Sequence, residues 1–452
     1  MEKLFKLKQN GTNVKTEIIA GITTFLAMVY ILAVNPSMLA DAGMSPGAVF
    51  TATAVSAAIA CVFMAVFANY PIALASGMGL NAYFTYSVCI PMAQAGIQDP
   101  WQIALTAVLV EGIVFIILSL FKFRETLVNK VPANLKYGIS AGIGLFIVIV
   151  GLKGAGIVVE DASTLVAMGN ISSPQFVLAM VGFLIIAVLH HYKVPGYILI
   201  GILVTWILGM IAQVAGWYQV NPEAGVYSLF PSFSGASFIP EAPSLFKFNF
   251  SYVTSHIMEF VVIVFSFLFV DLFDTVGTVI GVADKGNMLD EDGNLPRVGA
   301  ALMADAVGTV AGACLGTSTV TSYVESSAGV AQGGRTGLTA LTTGALFIIA
   351  LVLSPIFLAI PGFATTPALM FVGLLMVSSV KKMTFDGDIA DVVSGFIAVI
   401  MMPFTYSIAN GIMFGILSWV ILKVCMGKAK EIHPIMWISS ALFIIRIITL
   451  IV

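Results

Sequence analysis

The sequence predicts an α-helical polytopic membrane protein of about fourteen transmembrane segments, arranged as two inverted repeats of seven. Three observations predict this fold. The 452 residues are 59% hydrophobic and only 10% charged, and the mean hydropathy is +1.03. Apolar runs of about 20 residues, the length that crosses a bilayer, follow one another along the chain. Short motifs of the first half also recur in the same order in the second half, and we expect no separate soluble domain.

The predicted segments follow from these apolar runs. The first repeat, residues 1–215, has segments near Thr16–Leu39, Ala48–Ala68, Leu74–Ile90, Ile103–Leu120, Tyr137–Val159, Pro174–Leu189 and Pro195–Val214. Residues 216–256 form a polar, extracellular connecting loop. The second repeat, residues 257–426, has segments near Ile257–Val282, Val298–Leu315, Ser318–Ala331, Leu338–Ile360, Pro367–Val380, Val392–Thr405 and Asn410–Val424.

The basic residues predict the orientation, because Lys and Arg favour cytoplasmic loops. If the N-terminal arm with Lys3, Lys6, Lys8 and Lys15 is cytoplasmic, only Lys153 and Lys247 fall outside. The residues placed inside are Lys122, Arg124, Lys130, Lys136, Lys193, Lys285, Arg297, Arg335, Lys381, Lys382, Lys423, Lys428 and Lys430. We therefore expect a plasma-membrane protein with both termini cytoplasmic. Within residues 427–452, the apolar run from Pro434 contains Arg446, which favours an interfacial helix on the cytoplasmic side.

The two halves echo each other. Gly47-Ala48 and Ala54-Val55 match Gly299-Ala300 and Ala306-Val307, and Leu105-Thr106-Ala107 matches Leu338-Thr339-Ala340. Because seven is an odd number, the two repeats must have opposite orientations in the bilayer. Inverted repeats are common in alternating-access transporters.

The third segment of each half differs from the others. The run Ser76-Gly77-Met78-Gly79-Leu80-Asn81-Ala82-Tyr83 corresponds to Thr317-Ser318-Thr319-Val320-Thr321-Ser322-Tyr323-Val324-Glu325. Both runs are rich in Gly, Ser, Thr and β-branched or aromatic residues, which favours a broken helix with an extended half. Irregular backbone at membrane depth is tolerated where it lines a buried cavity. A matched pair of interrupted segments therefore predicts a binding site.

Carboxylates inside apolar segments also point to a binding site. A charged side chain near the bilayer centre costs about 2.5–3.5 kcal/mol, so those that persist usually handle a substrate or an ion. Asp274 and Glu325 are the main candidates for substrate binding and proton coupling. Asn81 can donate to and accept from a planar heterocycle, and Tyr83 and Tyr323 either stack on it or pack. The secondary candidates are Gly79, Asp271, Thr278, Asp305, Thr321 and Ser326.

Several of these residues have simpler explanations. Asp271 can equally be a structural carboxylate that caps a broken helix, and Asp305 a structural hydrogen-bond partner.

The four cysteines and four histidines have no metal-ligand spacing, which indicates no bound metal and no cofactor. No catalytic spacing is present, so we expect a transporter and not an enzyme. The net charge of −3 gives no reason to expect nucleic acid as a partner.

Three runs together, Gly77–Phe84, Asp271–Gly277 and Thr317–Gly329, resemble the nucleobase:cation symporter family. More narrowly, they are similar to its AzgA-like branch of hypoxanthine, guanine and adenine permeases. The resemblance implies a core domain of segments 1–4 and 8–11 and a gate domain of segments 5–7 and 12–14 that often forms a homodimer. It also implies that segments 3 and 10 are each half strand and half helix.

The same resemblance implies roles for individual residues. The carboxylate of the family's eighth segment maps onto Asp274, the glutamate of its tenth onto Glu325, and the asparagine of its third onto Asn81. The uracil and xanthine branches usually have Glu at the position that maps onto Asp274, with a nearby His in some members. Asp274 and Thr278 stand there in this chain, which argues against a pyrimidine or xanthine carrier.

The predicted function is import of purine bases coupled to protons, within a lipid bilayer. Sodium is not excluded as the coupling ion. The alternatives are an anion (sulfate-like) transporter of the same architecture, from a sister family, or a xanthine or uracil carrier.

Overall fold

The computed structural model describes residues 2–120, 131–221, 226–231, 238–290 and 295–451. Three of the basic residues that predict the orientation lie outside these ranges: Lys122, Arg124 and Lys130. Parts of the connecting loop and the side chain of Arg446 also lie outside the described part. The helices of the first half are α1 Glu2–Phe5, α2 Val14–Met28, α3 Ile31–Ala40, α4 Pro46–Phe63, α5 Met78–Ala82, α6 Ile90–Gln94, α7 Pro100–Leu120, α8 Ala133–Gly154, α9 Pro174–His191 and α10 Tyr197–Val214.

Ten further helices lie in the described residues of the second half. They are α11 Phe250–Ser255, α12 Ile257–Lys285, α13 Val298–Leu315, α14 Ser326–Ala331, α15 Gly337–Ile349, α16 Ser354–Leu358, α17 Gly362–Val377, α18 Ile389–Phe404, α19 Ile408–Cys425 and α20 Pro434–Ile451. The strands are β1 Leu74–Ser76, β2 Val158–Asp161, β3 Leu165–Met168 and β4 Val320–Ser322. Two π-helical turns, Met64–Ala68 and Tyr83–Cys89, extend α4 and α5.

Within the described residues, 11 helical stretches are long and apolar enough to cross a membrane. Each coincides with one predicted segment, so the chain is a helical polytopic membrane protein. The three remaining predicted segments are the two broken ones and α18, which is apolar but has only 16 residues.

The two broken segments meet in the middle of the molecule. Strand β1 pairs with β4 in antiparallel register, with Ala75 opposite Thr321. The strand-like halves predicted from the Gly-, Ser- and Thr-rich runs are therefore present. The ladder is closely packed, since a Cβ atom on Gly77 would lie 2.4 Å from the Thr321 methyl group. Each strand supplies hydrogen-bond partners for the other at a depth where water cannot.

The helices pack in two groups. One group comprises α2, α3, α4, α7, α12, α13, α14 and α15 around the two strands, and the other comprises α8, α9, α10, α17, α18 and α19. Glycines on α8 bring the second group together. A Cβ on Gly138 would collide with the backbone of Gly395 in α18, and one on Gly144 with that of Gly373 in α17. Such close backbone approach is typical of small residues between membrane helices.

A buried carboxylate joins the first group across a long stretch of sequence. Glu17 on α2 is fully buried and accepts hydrogen bonds from the backbone N–H groups of Arg335 (2.8 Å) and Thr339 (3.2 Å). It also accepts a 2.6 Å bond from the Thr339 hydroxyl. These groups belong to the N-terminus of α15, where the helix dipole favours a negative charge.

Two local features were not predicted. The first transmembrane segment is interrupted at Val29 and Tyr30, between α2 and α3. A short antiparallel hairpin, β2 with β3, stands between the fifth and sixth predicted segments. Helix α20, expected to be interfacial, packs against α19 and α12.

Candidate functional site

Three interrupted segments converge on Glu325. This residue precedes α14 and is only 8% exposed. The hydroxyl of Tyr30, at the interruption between α2 and α3, donates a 2.7 Å hydrogen bond to Glu325 Oε1. Tyr30 itself is fully buried. A carboxylate held by a buried hydroxyl has a fixed position, which substrate recognition requires.

Asp274 lies on an accessible face of α12. Its side chain is half-buried, and it is close enough to Glu325 and Asp305 to interact with them electrostatically. Asp274 forms no hydrogen bond with another described residue. The structure therefore brings together the two carboxylates that the sequence singled out, and one of them keeps its acceptor oxygens available.

A polar stripe leads from Asp274 to the C-terminal end of α12. Thr278 is half-buried on this stripe, whereas Gly277, Gly281 and Lys285 are exposed. A Cβ atom added at Gly277 or Gly281 would have no neighbour within 4 Å. Because a lipid-facing stripe would be apolar, this small and polar surface fits a water-accessible path. Lys285 Nζ lies 3.4 Å from Ser327 Oγ on α14, across this path.

Asp271 lies in a different environment from Asp274. It is fully buried, as is Asp305 on α13. The hydroxyl of Thr275 lies 3.0 Å from Asp271 Oδ1 and 2.9 Å from Asp305 Oδ1. The Thr321 hydroxyl of β4 lies 2.7 Å from the Thr275 hydroxyl. This hub ties α12, α13 and β4 together behind the accessible face.

Asn81 is fully buried in α5. Its Oδ1 accepts hydrogen bonds from the hydroxyls of Ser76 (2.9 Å) and Ser318. Its amide nitrogen has no hydrogen-bond partner among the described residues. In this conformation Asn81 connects the two broken segments and does not reach the accessible face.

The two symmetric tyrosines also lie at the breaks. Tyr83 packs edge-on against Phe267 of α12, with ring centroids 4.7 Å apart. The Tyr323 hydroxyl donates to the backbone oxygen of Ser76. The rings of Tyr83 and Tyr323 are both almost completely buried.

Ser326 and Gly79 contact the neighbouring elements. The Ser326 hydroxyl accepts a 3.0 Å bond from the Ala73 N–H and so holds β1 beside α14. A Cβ on Gly79 would lie 2.7 Å from Ile143 of α8, so α5 approaches the second helix group closely here.

The structure adds residues that the sequence analysis did not single out. Tyr30 contacts Glu325 directly, and Tyr197 at the start of α10 is near enough to interact with it electrostatically. Glu111 on α7 is fully buried and accepts a 2.8 Å bond from the Thr319 hydroxyl beside β4. These partners are far apart in sequence, so no local pattern signals them.

The arrangement suits recognition of a small polar molecule. It combines two neighbouring carboxylates, buried aromatic rings, and an exposed polar stripe that runs to the C-terminal end of α12. Among the described residues no group of three or more His, Cys, Asp or Glu side chains is placed to hold a metal ion.

The chain is similar to known transport proteins along most of its length. The chain is 44% identical to the guanine/hypoxanthine permease PbuO of Bacillus subtilis, over 99% of this chain and 100% of that one. It is 42% identical to the adenine permease AdeQ of Escherichia coli, over 99% and 96% of the two chains. The transmembrane domain of the cyanobacterial bicarbonate transporter BicA has the same fold, with a TM-score of 0.66 and 16% identity over 88% of this chain and 97% of that one.

The matched family agrees with these likenesses. Residues 15–414 match the model of the Permease family (Xan_ur_permease). This chain therefore belongs to that permease family, and it is a membrane transporter and not an enzyme.

Proposed function

We propose that the chain imports purine nucleobases across the plasma membrane by symport with a proton. The observation that carries this proposal is the half-buried Asp274 carboxylate, which stands beside Glu325 at the end of a polar path. The names of the two similar bacterial permeases support the substrate class, since one is named for adenine and the other for guanine and hypoxanthine.

The chemistry of a purine base matches the site. Hypoxanthine and guanine carry ring N–H donors, and a carboxylate such as Asp274 accepts them more strongly than a neutral group would. The rings of Tyr83 and Tyr323 provide flat apolar surface for the heterocycle. The Asn81 amide would reach the purine edge after the broken segments move. Thr278, Thr321, Ser326 and Gly79 would then line the same cavity.

Proton coupling fits two carboxylates in one small site. When a proton neutralises Asp274 or Glu325, the repulsion between the two charges disappears, as does the cost of holding that charge at membrane depth. The empty carrier and the substrate-loaded carrier would therefore change access in different protonation states. This is the property that a proton symporter needs.

Alternating access would use the two helix groups. We assign fourteen membrane crossings, counting α18 and both broken segments, to two inverted repeats at residues 1–215 and 257–426. The first helix group corresponds to the proposed core, and the second, with its glycine-packed α8, to the proposed gate and homodimer surface. The antiparallel pairing of β1 with β4 supports the inverted relation.

The orientation in the membrane follows from the basic residues. With the N-terminus in the cytoplasm, the path to Asp274 opens at the cytoplasmic end of α12, so this conformation faces inward. The C-terminus is then cytoplasmic as well, and α20 an interfacial helix on that side.

Uptake of labelled hypoxanthine into proteoliposomes with an imposed pH gradient tests the proposal. We expect uptake to rise with the inward proton gradient and to collapse with a protonophore. Unlabelled adenine, guanine and hypoxanthine should compete, whereas uracil and sulfate should not. Strict sodium dependence that a protonophore leaves unchanged would overturn the coupling. Uptake of labelled sulfate, xanthine or uracil without any purine uptake would overturn the substrate class.

A further inference from the structure

A cavity lined by both polar and apolar side chains lies between the two helix groups, at the end of the molecule where α3 and α8 finish. Its volume is about 480 Å³. The side chains that matter here are Asp41 just after α3, Tyr86 in the π-helical turn after α5, Gln94 at the end of α6, Lys153 on α8, and Tyr406 between α18 and α19. In the proposed topology all of them lie at the extracellular side, opposite the path to Asp274.

Two tyrosines form the aromatic wall of this cavity. The rings of Tyr86 and Tyr406 stand nearly perpendicular, with centroids 6.2 Å apart. The Tyr86 hydroxyl donates a 2.7 Å hydrogen bond to Asp41 Oδ2. Lys153 Nζ lies 5.5 Å from the centre of the Tyr406 ring, and Phe146 supports that ring from α8 at 5.3 Å.

The backbone at Tyr406 is unusual. Its φ angle is +50°, in the left-handed region that a bulky aromatic residue rarely adopts. Glycine or asparagine would fit the turn between α18 and α19 more easily. An unfavourable backbone conformation that presents a ring to a cavity is a feature typical of functional sites.

We propose that this cavity is a second, outer binding site for a purine base, and this inference rests on the proposed function. The two rings offer flat surfaces to a planar heterocycle. Asp41 accepts its N–H groups, the Lys153 ammonium donates to its carbonyl oxygen, and the Gln94 amide can do either. The cavity volume is within the range usual for small-molecule sites.

The outer site gives the carrier a place to hold its substrate while the inner site faces the other side. It spans both helix groups, with Asp41 at the end of α3 in one and Lys153 on α8 in the other. A base bound there is already located at the boundary that opens when the two groups move apart. The outer site therefore raises the local concentration of substrate without contributing to the coupling.

Equilibrium binding of labelled hypoxanthine to the purified full-length protein in lipid nanodiscs tests this inference. We expect two classes of site per chain in the wild-type protein. The double variant Asp274→Asn, Glu325→Gln should lose the inner site and keep only the outer site, which is the weaker class. Adding Tyr406→Gly to that double variant should remove this weaker class as well. The glycine suits the left-handed backbone, so this change deletes the ring without straining the turn.

Controls and transport kinetics complete the test. Tyr406→Phe keeps the ring and should restore the weaker class, and Tyr227→Ala, at an exposed tyrosine of the connecting loop, should leave it intact. In uptake, Tyr406→Gly alone should raise KM several-fold while Vmax changes less than twofold. A single class of site in the wild type, or a weaker class that survives Tyr406→Gly, would overturn the outer site alone. A wild-type protein that neither binds nor transports hypoxanthine, adenine or guanine would overturn the proposed function and the outer site with it.

Discussion

Asp271 and Asp274 are three residues apart on one helix, yet their surroundings differ. Asp274 is half-buried beside an accessible stripe of α12. Asp271 is fully buried, and it shares the Thr275 hydroxyl with Asp305. Two carboxylates at this spacing project from neighbouring faces of a helix. Burial and hydrogen bonding, and not residue type, therefore separate a candidate ligand from a structural carboxylate.

Removing the charge on the accessible side should have the largest effect. Asp274→Asn and Glu325→Gln should each lower purine uptake about 100-fold or more, because each loses both a charged acceptor for the base and a proton carrier. Initial rates of labelled hypoxanthine uptake measure this, with protein in the membrane quantified in parallel. Near-normal uptake in both variants would contradict the assigned site.

Tyr30→Phe should give the next largest effect. The change removes only the hydroxyl that donates to Glu325 Oε1 at 2.7 Å. A hydrogen bond to a charged group is worth about 1.5–3 kcal/mol, and the lower end of that range corresponds to a fall in uptake of about tenfold. Thermal unfolding should change little by comparison. If Tyr30→Phe transports at the wild-type rate, Glu325 needs no positioning by this residue.

Thr275→Val tests the buried hydrogen bonds around Asp271 and Asp305. The variant keeps the shape of the side chain but leaves Asp271 and Asp305 without the shared hydroxyl. We expect a loss of about 1–3 kcal/mol of stability, seen as a lower thermal unfolding midpoint in detergent. Asp274→Asn should leave that midpoint unchanged. The reverse pattern in the two variants would contradict a structural role for Asp271 and a binding role for Asp274.

Asn81→Ala distinguishes the two possible roles of this amide. The variant loses the acceptor for the Ser76 and Ser318 hydroxyls, which should cost about 1 kcal/mol of stability. If the amide also meets the substrate, the preference among adenine, guanine and hypoxanthine should shift. Competition assays on the folded variant measure this. Unchanged affinity and preference would leave Asn81 a purely structural residue.

A third carboxylate, Asp388 before α18, is paired with cations and should give the smallest effect. Hydrogen bonds from Lys428 and then Lys423 hold the pKa of Asp388 well below its usual value. Its stabilisation is complete above the unfolded pKa of about 3.9 and is lost as the pH falls through the lower folded pKa. Asp388→Asn should therefore cost under about 1 kcal/mol at pH 7. The difference between the two unfolding midpoints should shrink only below about pH 4; a difference that disappears near pH 6 would contradict this.

The sequence predicted the broken segments well, because an extended half needs Gly, Ser, Thr and β-branched residues, and these are local properties. It also singled out Asp274 and Glu325, which lie close enough to interact electrostatically; their roles in binding and coupling stay predictions. It did not predict the interruption at Tyr30, since the surrounding sequence is continuously apolar. It gave no reason to select Glu111, whose partner Thr319 is 208 residues away. Contacts of that kind depend on how the segments assemble and leave no local pattern.

The bond between Glu17 and the N-terminus of α15 has a consequence for biosynthesis. The carboxylate enters the membrane early, but its first backbone partner, Arg335, is 318 residues further along the chain. At about 5–20 residues per second, the ribosome needs roughly 15–60 s to reach that partner. A similar time passes between the synthesis of strand β1 and that of its partner, β4. The first half is therefore inserted as an unfinished intermediate, and its acidic residue and strand edge obtain their native partners only when the second half arrives.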